Sequence, residues 1–176
     1  MKKGELKKQE ILQTAETLFC KNGFEATSVQ DILDILKTSK GSFYHHFVSK
    51  ESVLEEICSK RVESGAEAVI QQISESNRSV IQSLNILLSG IIPIQGERLQ
   101  FLLMLLPVFR MTEGVQIKNR YCVELSKTYS PLIEETVRKG MEEEVFFCSD
   151  ATLGAYILCQ IVNDYWMKIC DMILEK

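Results

Sequence analysis

The sequence predicts an all-α protein, on three observations. Apolar residues recur at helical spacing along nearly the whole chain, as in Val29, Ile32, Leu33 and Leu36, which fall at i, i+3, i+4 and i+7. Nine glycines and three prolines are few for 176 residues, and no Ser/Gly-rich or Pro-rich linker or repeat interrupts the pattern. With 45% of its residues hydrophobic, the chain can bury one substantial core and a small satellite unit.

A first helix is expected from about Leu6 to Lys21, with Ile11, Ala15, Leu18 and Phe19 on one face and Leu12 beside them. Asn22-Gly23 ends it, and Phe24 is placed to fold back onto its last turn. Thr27 is read as the N-cap of a second helix, with Gln30 closing a capping box. Ser39 opens a third, SKGSFYHHF, in which Phe43 and Phe47 lie one turn apart and face inward. Lys40, Ser42, Tyr44 and His45 then stay outside. None of these helices can stand alone, so they are expected to share one small core.

Ser49 caps the next helix, with Glu51 in the first turn where the helix dipole favours negative charge. It runs to about Ser74, a rod of roughly 35 Å that can connect two units. Asn77 is read as the cap of a helix over 78–92. After a break near Pro93-Ile94-Gln95-Gly96, a helix to Arg110 is apolar nearly all round, and so is expected inside the second unit. Pro107 should kink or end it. A stretch from Glu113 to Glu144 is expected to bend or restart at Ser130-Pro131. EVFFCSD is a non-helical link, and Ser149 or Asp150 caps a last helix to about Leu174. There Gln160, Asp164, Lys168, Asp171 and Glu175 form one narrow polar stripe. A helix so apolar needs two partners. One is its own core; the other is either more of its own chain or the same helix of a second copy across a two-fold axis.

The net charge of −4 is unevenly divided. Residues 1–50 hold eight Lys against six acids, whereas 51–176 hold twelve Lys and Arg against eighteen. No acid lies between Asp34 and Glu51, while Lys37, Lys40 and Lys50 do. Alone, three lysines read as a solvated surface. On a two-helix motif with exposed hydroxyls they suit the phosphates of nucleic acid.

Six scattered cysteines without a close pair, and an N-terminus lacking a signal-peptide core, point to a cytoplasmic protein with mostly buried, reduced thiols. No apolar run is long and uncharged enough to span a bilayer, so no membrane association is expected. Adjacent His45 and His46 point about 100° apart on a helix and cannot share one ion; no metal and no cofactor are expected. No phosphate loop, GxSxG, HExxH or paired-cysteine site appears, so an enzyme is the disfavoured class. A helical dimer that binds another protein is a third reading.

The run ILQTAETLFCKNGFEATSVQDILDILKTSKGSFYHHFVSKESVLEEI resembles the N-terminal DNA-binding domain of TetR-like bacterial transcription regulators. The match covers roughly residues 8–57 and includes Ala15, Phe19, Gly23-Phe24, Thr27, Asp31-Ile32, the SKGSFYHHF run and Lys50-Glu51. The resemblance implies a helix-turn-helix domain over 1–48 and an effector-binding and dimerisation domain over 49–176. It implies a homodimer joined through its C-terminal helices, straddling a double-stranded DNA operator that is an inverted repeat. A small hydrophobic or amphipathic effector would release this repressor. Carried over by position, the DNA-facing set is Thr27, Ser28, Thr38, Ser39, Lys40, Gly41, Ser42, Tyr44, His45 and Lys50. Candidates for the effector pocket are Leu87, Leu102, Met104, Leu105, Phe109, Met111, Tyr121 and Tyr165. The family turn usually carries Ala-Gly-Val where this chain has Leu36-Lys37-Thr38. A positive φ at Lys37 would cost about 1 kcal/mol. No arginine precedes Arg61, so base reading would lean on Lys40, on tyrosine and hydroxyl contacts and on DNA shape.

Overall fold

The computed structural model describes residues 3–75, 77–92, 96–112 and 114–174, which form eight helices and no strand. These are α1 (Lys3–Asn22), α2 (Val29–Leu36), α3 (Lys40–Tyr44), α4 (Lys50–Ser74), α5 (Val80–Ile91), α6 (Gly96–Phe109), α7 (Gly114–Glu142) and α8 (Ala151–Leu174). The break expected at Pro93-Ile94-Gln95, the helix start at Glu113 and the last stripe residue Glu175 lie outside the described residues. No helix among the described residues is long and apolar enough to cross a membrane.

Two compact units result: Met1–Lys60 with Gln95–Arg120, and Arg61–Ile94 with Tyr121–Lys176. In the first, α1 packs on both α2 and α6. Ile11, Ala15, Phe19, Ile32, Phe43, Val53 and Leu54 are fully enclosed there. α1 ends as expected: Gly23 takes φ 88°, its N–H donates to the Phe19 carbonyl at 2.9 Å, and the Phe24 ring meets Phe19 edge-on at 5.1 Å. Ser49 caps α4, its Oγ accepting from the Ser52 N–H at 3.2 Å.

α6 is buried on most sides, with Leu103 and Pro107 outside. It belongs to the first unit rather than the second, because α1 supplies the apolar face on which it packs. Pro107 sits two residues from its end, and the chain leaves through Arg110 and Met111 N–H bonds to the Pro107 and Val108 carbonyls. The turn into α7 needs Gly114: an added Cβ would stand 1.6 Å from the Val108 carbonyl oxygen.

In the second unit α5 packs on α8. Ser79, not Asn77, caps α5, in a reciprocal box with Gln82. α7 passes Pro131 without a break. Its Tyr129 hydroxyl donates to the Gly90 carbonyl at 3.0 Å. Asp150 caps α8 by accepting from the Leu153 N–H at 3.0 Å. α8 buries Ala155, Cys159, Asn163, Trp166, Met167 and Cys170 and exposes Leu153, Tyr156, Ile157, Ile161, Tyr165 and Met172.

Candidate nucleic-acid interface

Thr27 is 1% exposed, and its hydroxyl donates to the Gly23 carbonyl at 2.8 Å. With that side chain turned inward, the cap of α2 moves one residue on, to Ser28. Ser28 Oγ accepts from the Asp31 N–H at 3.1 Å, while the Asp31 carboxylate accepts from the Ser28 N–H and hydroxyl, both at 2.7 Å. These bonds hold the Asp31 carboxyl below its ordinary range. The box is therefore Ser28–Asp31 in place of Thr27–Gln30, and Gln30 donates instead to Asp34. The same inward turn engages the Thr27 hydroxyl within the protein.

α2 ends with Lys37 in the left-handed region, φ 47° and ψ 46°. The Lys37 N–H donates to the Asp34 carbonyl at 3.4 Å and the Thr38 N–H to the Leu33 carbonyl at 3.2 Å. This bond pair is the Schellman motif, which usually places glycine where Lys37 stands. Lys37 therefore carries the strain of that conformation.

Ser39 opens α3, its Oγ accepting from the Ser42 N–H at 3.3 Å. The helix proper is only five residues, with His45 and His46 continuing it as a turn. Phe43 and Phe47 anchor it from below, both buried and 5.9 Å apart. Ser28, Ser39, Lys40, Gly41, Tyr44 and His45 are exposed, and Thr38 and Ser42 half-buried. The outward face thus offers one cation, an imidazole, a phenol and several hydroxyls, on a helix whose underside is fixed. Such groups donate to phosphate oxygens and base edges.

Lys50 does not join that face. Its ammonium donates to the Phe24 carbonyl at 2.7 Å and the Thr27 carbonyl at 2.9 Å, lying 4.2 Å from the Phe24 ring centroid. These bonds tie the start of α4 to the connection between α1 and α2. Further ion pairs join Lys8 to Glu56 and Arg120 to Glu55.

Residues 11–57 match the model of bacterial regulatory proteins of the tetR family. Over that segment the chain is similar to the family's N-terminal domain. Over 51 residues the chain is 47% identical to the HTH-type transcriptional repressor KstR2 of Mycolicibacterium smegmatis, a stretch covering 29% of this chain and 25% of that one. The chain thus spans about a quarter of the length of this curated relative. Two solved structures share the fold over nearly the whole chain. The fatty acid degradation regulator FadR from Bacillus halodurans has a TM-score of 0.65 at 22% identity, covering 97% of this chain and 89% of that one. The regulator FadR from Bacillus subtilis, in complex with stearoyl-CoA, has a TM-score of 0.67 at 14% identity, with 96% and 89% covered.

Beyond the matched segment, the candidate effector residues do not gather in one unit. Leu102, Met104, Leu105, Phe109 and Met111 lie in the first; Leu87, Tyr121 and Tyr165 lie in the second. Leu102 and Leu105 are core. Met104 joins Leu103, Pro107, Phe19 and Phe24 around a groove of about 620 Å³. Tyr165 is 65% exposed on the outer face of α8, so it lines no interior. Among the thiols, Cys58, Cys159 and Cys170 are buried and Cys20 is exposed. Burial pushes the Cys58 thiol far up, with Glu55 and Glu16 adding to it, and burial also raises Cys159. Both favour the protonated, unreactive form.

Proposed function

We propose that this chain is a ligand-responsive transcriptional repressor that binds a palindromic operator as a homodimer and acts in the cytoplasm. The observation that carries the reading is the outward face of α3, where Ser39, Lys40, Gly41, Tyr44 and His45 stand exposed above a fixed aromatic base. Ser28, Thr38 and Ser42 flank them as phosphate donors. Thr27 and Lys50 shape the motif from behind. Residues 1–48 supply the DNA contacts, and 49–176 the effector and dimer functions.

The dimer forms through α7 and α8, whose exposed Val123, Tyr156, Ile157, Ile161 and Tyr165 need a second apolar surface. Two α3 helices then lie about 34 Å apart, one turn of DNA. The effector is small and hydrophobic or amphipathic and enters the second unit, where Leu87 and Tyr121 are buried. One structural relative was solved with stearoyl-CoA, an amphipathic molecule, which accords with an amphipathic effector. α4 belongs to both units, so a ligand favouring one packing of α4 shifts the population of DNA-competent dimers.

Selection from a random duplex library tests the function. Enrichment of an inverted repeat with half-sites one helical turn apart is expected; recovery of no sequence above background contradicts the proposal.

A further inference from the structure

Three side-chain polar atoms of the second unit, Ser130 Oγ, Asn163 Oδ1 and Trp166 Nε1, are buried without a hydrogen-bond partner, and the last two share one helix. Asn163 and Trp166 are each 3% exposed. They sit three residues apart on the inner face of α8, a spacing that puts side chains side by side. One is an acceptor and the other a donor. Buried polar groups in folded proteins are almost always paired, because leaving them dry is costly. No charged side chain is buried among the described residues, so no counter-ion for a carboxylate or ammonium lies within. A single hydroxyl complements the pair: its oxygen accepts from the indole N–H, and its hydrogen is donated to the amide oxygen.

We propose that Asn163 and Trp166 form the polar anchor of the effector site, and that the effector class is an uncharged, mostly apolar molecule bearing a hydroxyl. This rests on the effector reading above and deepens it. Cys159, Met167 and Cys170, buried on the same helix, are apolar and adaptable, suiting an alkyl or ring body. Asn163 fixes orientation and Trp166 contributes both a donor and a flat apolar wall.

Trp166 is the chain's one tryptophan, so its emission reports this site directly, without DNA. The full chain is titrated with 1-octanol and, separately, with n-octane. Saturable change with octanol at about tenfold lower concentration than with octane is expected. Asn163→Leu should bring the two probes within about twofold of each other while circular dichroism stays helical; Asn163→Ala serves should the leucine variant not fold. A wild-type response equal for both probes, no saturable response, or a preference that survives both substitutions overturns the proposal and leaves the pair bridged by an ordinary buried water. Failure to bind DNA would count against the regulator reading and leave this result standing.

Discussion

At the scale of single residues, three side chains decide how α3 is presented, and only part of their work was legible in the sequence. The departure at Leu36-Lys37-Thr38 was visible, and so was its cost, because a non-glycine residue at a helix C-terminus followed by a new cap leaves few other conformations. Lys37 indeed takes φ 47°. Lys37→Gly should therefore stabilise the protein by about 0.5–1 kcal/mol in chemical denaturation, while Lys37→Val should destabilise it. The roles of Thr27 and Lys50 were not legible. Which of two adjacent hydroxyl residues turns inward depends on the Gly23 carbonyl that meets Thr27. Where a long lysine ends depends on two carbonyls more than twenty residues away. Lys50→Met keeps the stem but removes both donors. It should lower stability by about 1–2 kcal/mol and leave the salt dependence of DNA binding unchanged. A drop in that dependence would return Lys50 to the DNA-facing set.

At the scale of elements, apolar periodicity placed all the helices, since each inner face is set by spacing alone. Caps slipped by one or two residues, from Thr27 to Ser28 and from Asn77 to Ser79, because several residues in each loop were chemically able to cap. The S-x-x-D spacing at Ser28–Asp31 was the overlooked signal. Its acid has a pH signature. Asp31 sits below its ordinary value of 3.8 when folded, so the box contributes stability above about pH 4 that is lost as pH falls through the lowered folded value. Asp31→Asn should flatten the acid limb of a thermal-stability profile below about pH 4, compared with wild type.

At the scale of the molecule, α6 shows what periodicity cannot supply. Its apolar circumference announced burial but carried no address, and it joins α1 in the first unit. The effector candidates on it were assigned on the opposite expectation, which is why they scatter. α8 was more informative, for two buried sides were expected and only one is covered within the chain. Ile161→Glu, placing a charge on the uncovered side, should convert a dimer to a monomer in sedimentation and weaken operator binding by at least about tenfold. An unchanged sedimentation profile would place the dimer contact elsewhere.

Salt-dependent binding of wild type and Lys40→Ala to a selected operator measures whether the outward face of α3 reads DNA. Affinity should fall linearly with salt on a logarithmic scale, and Lys40→Ala should weaken binding and reduce the slope by about 1. Absence of salt-sensitive binding to any duplex, or a Lys40→Ala variant indistinguishable from wild type, would contradict that reading.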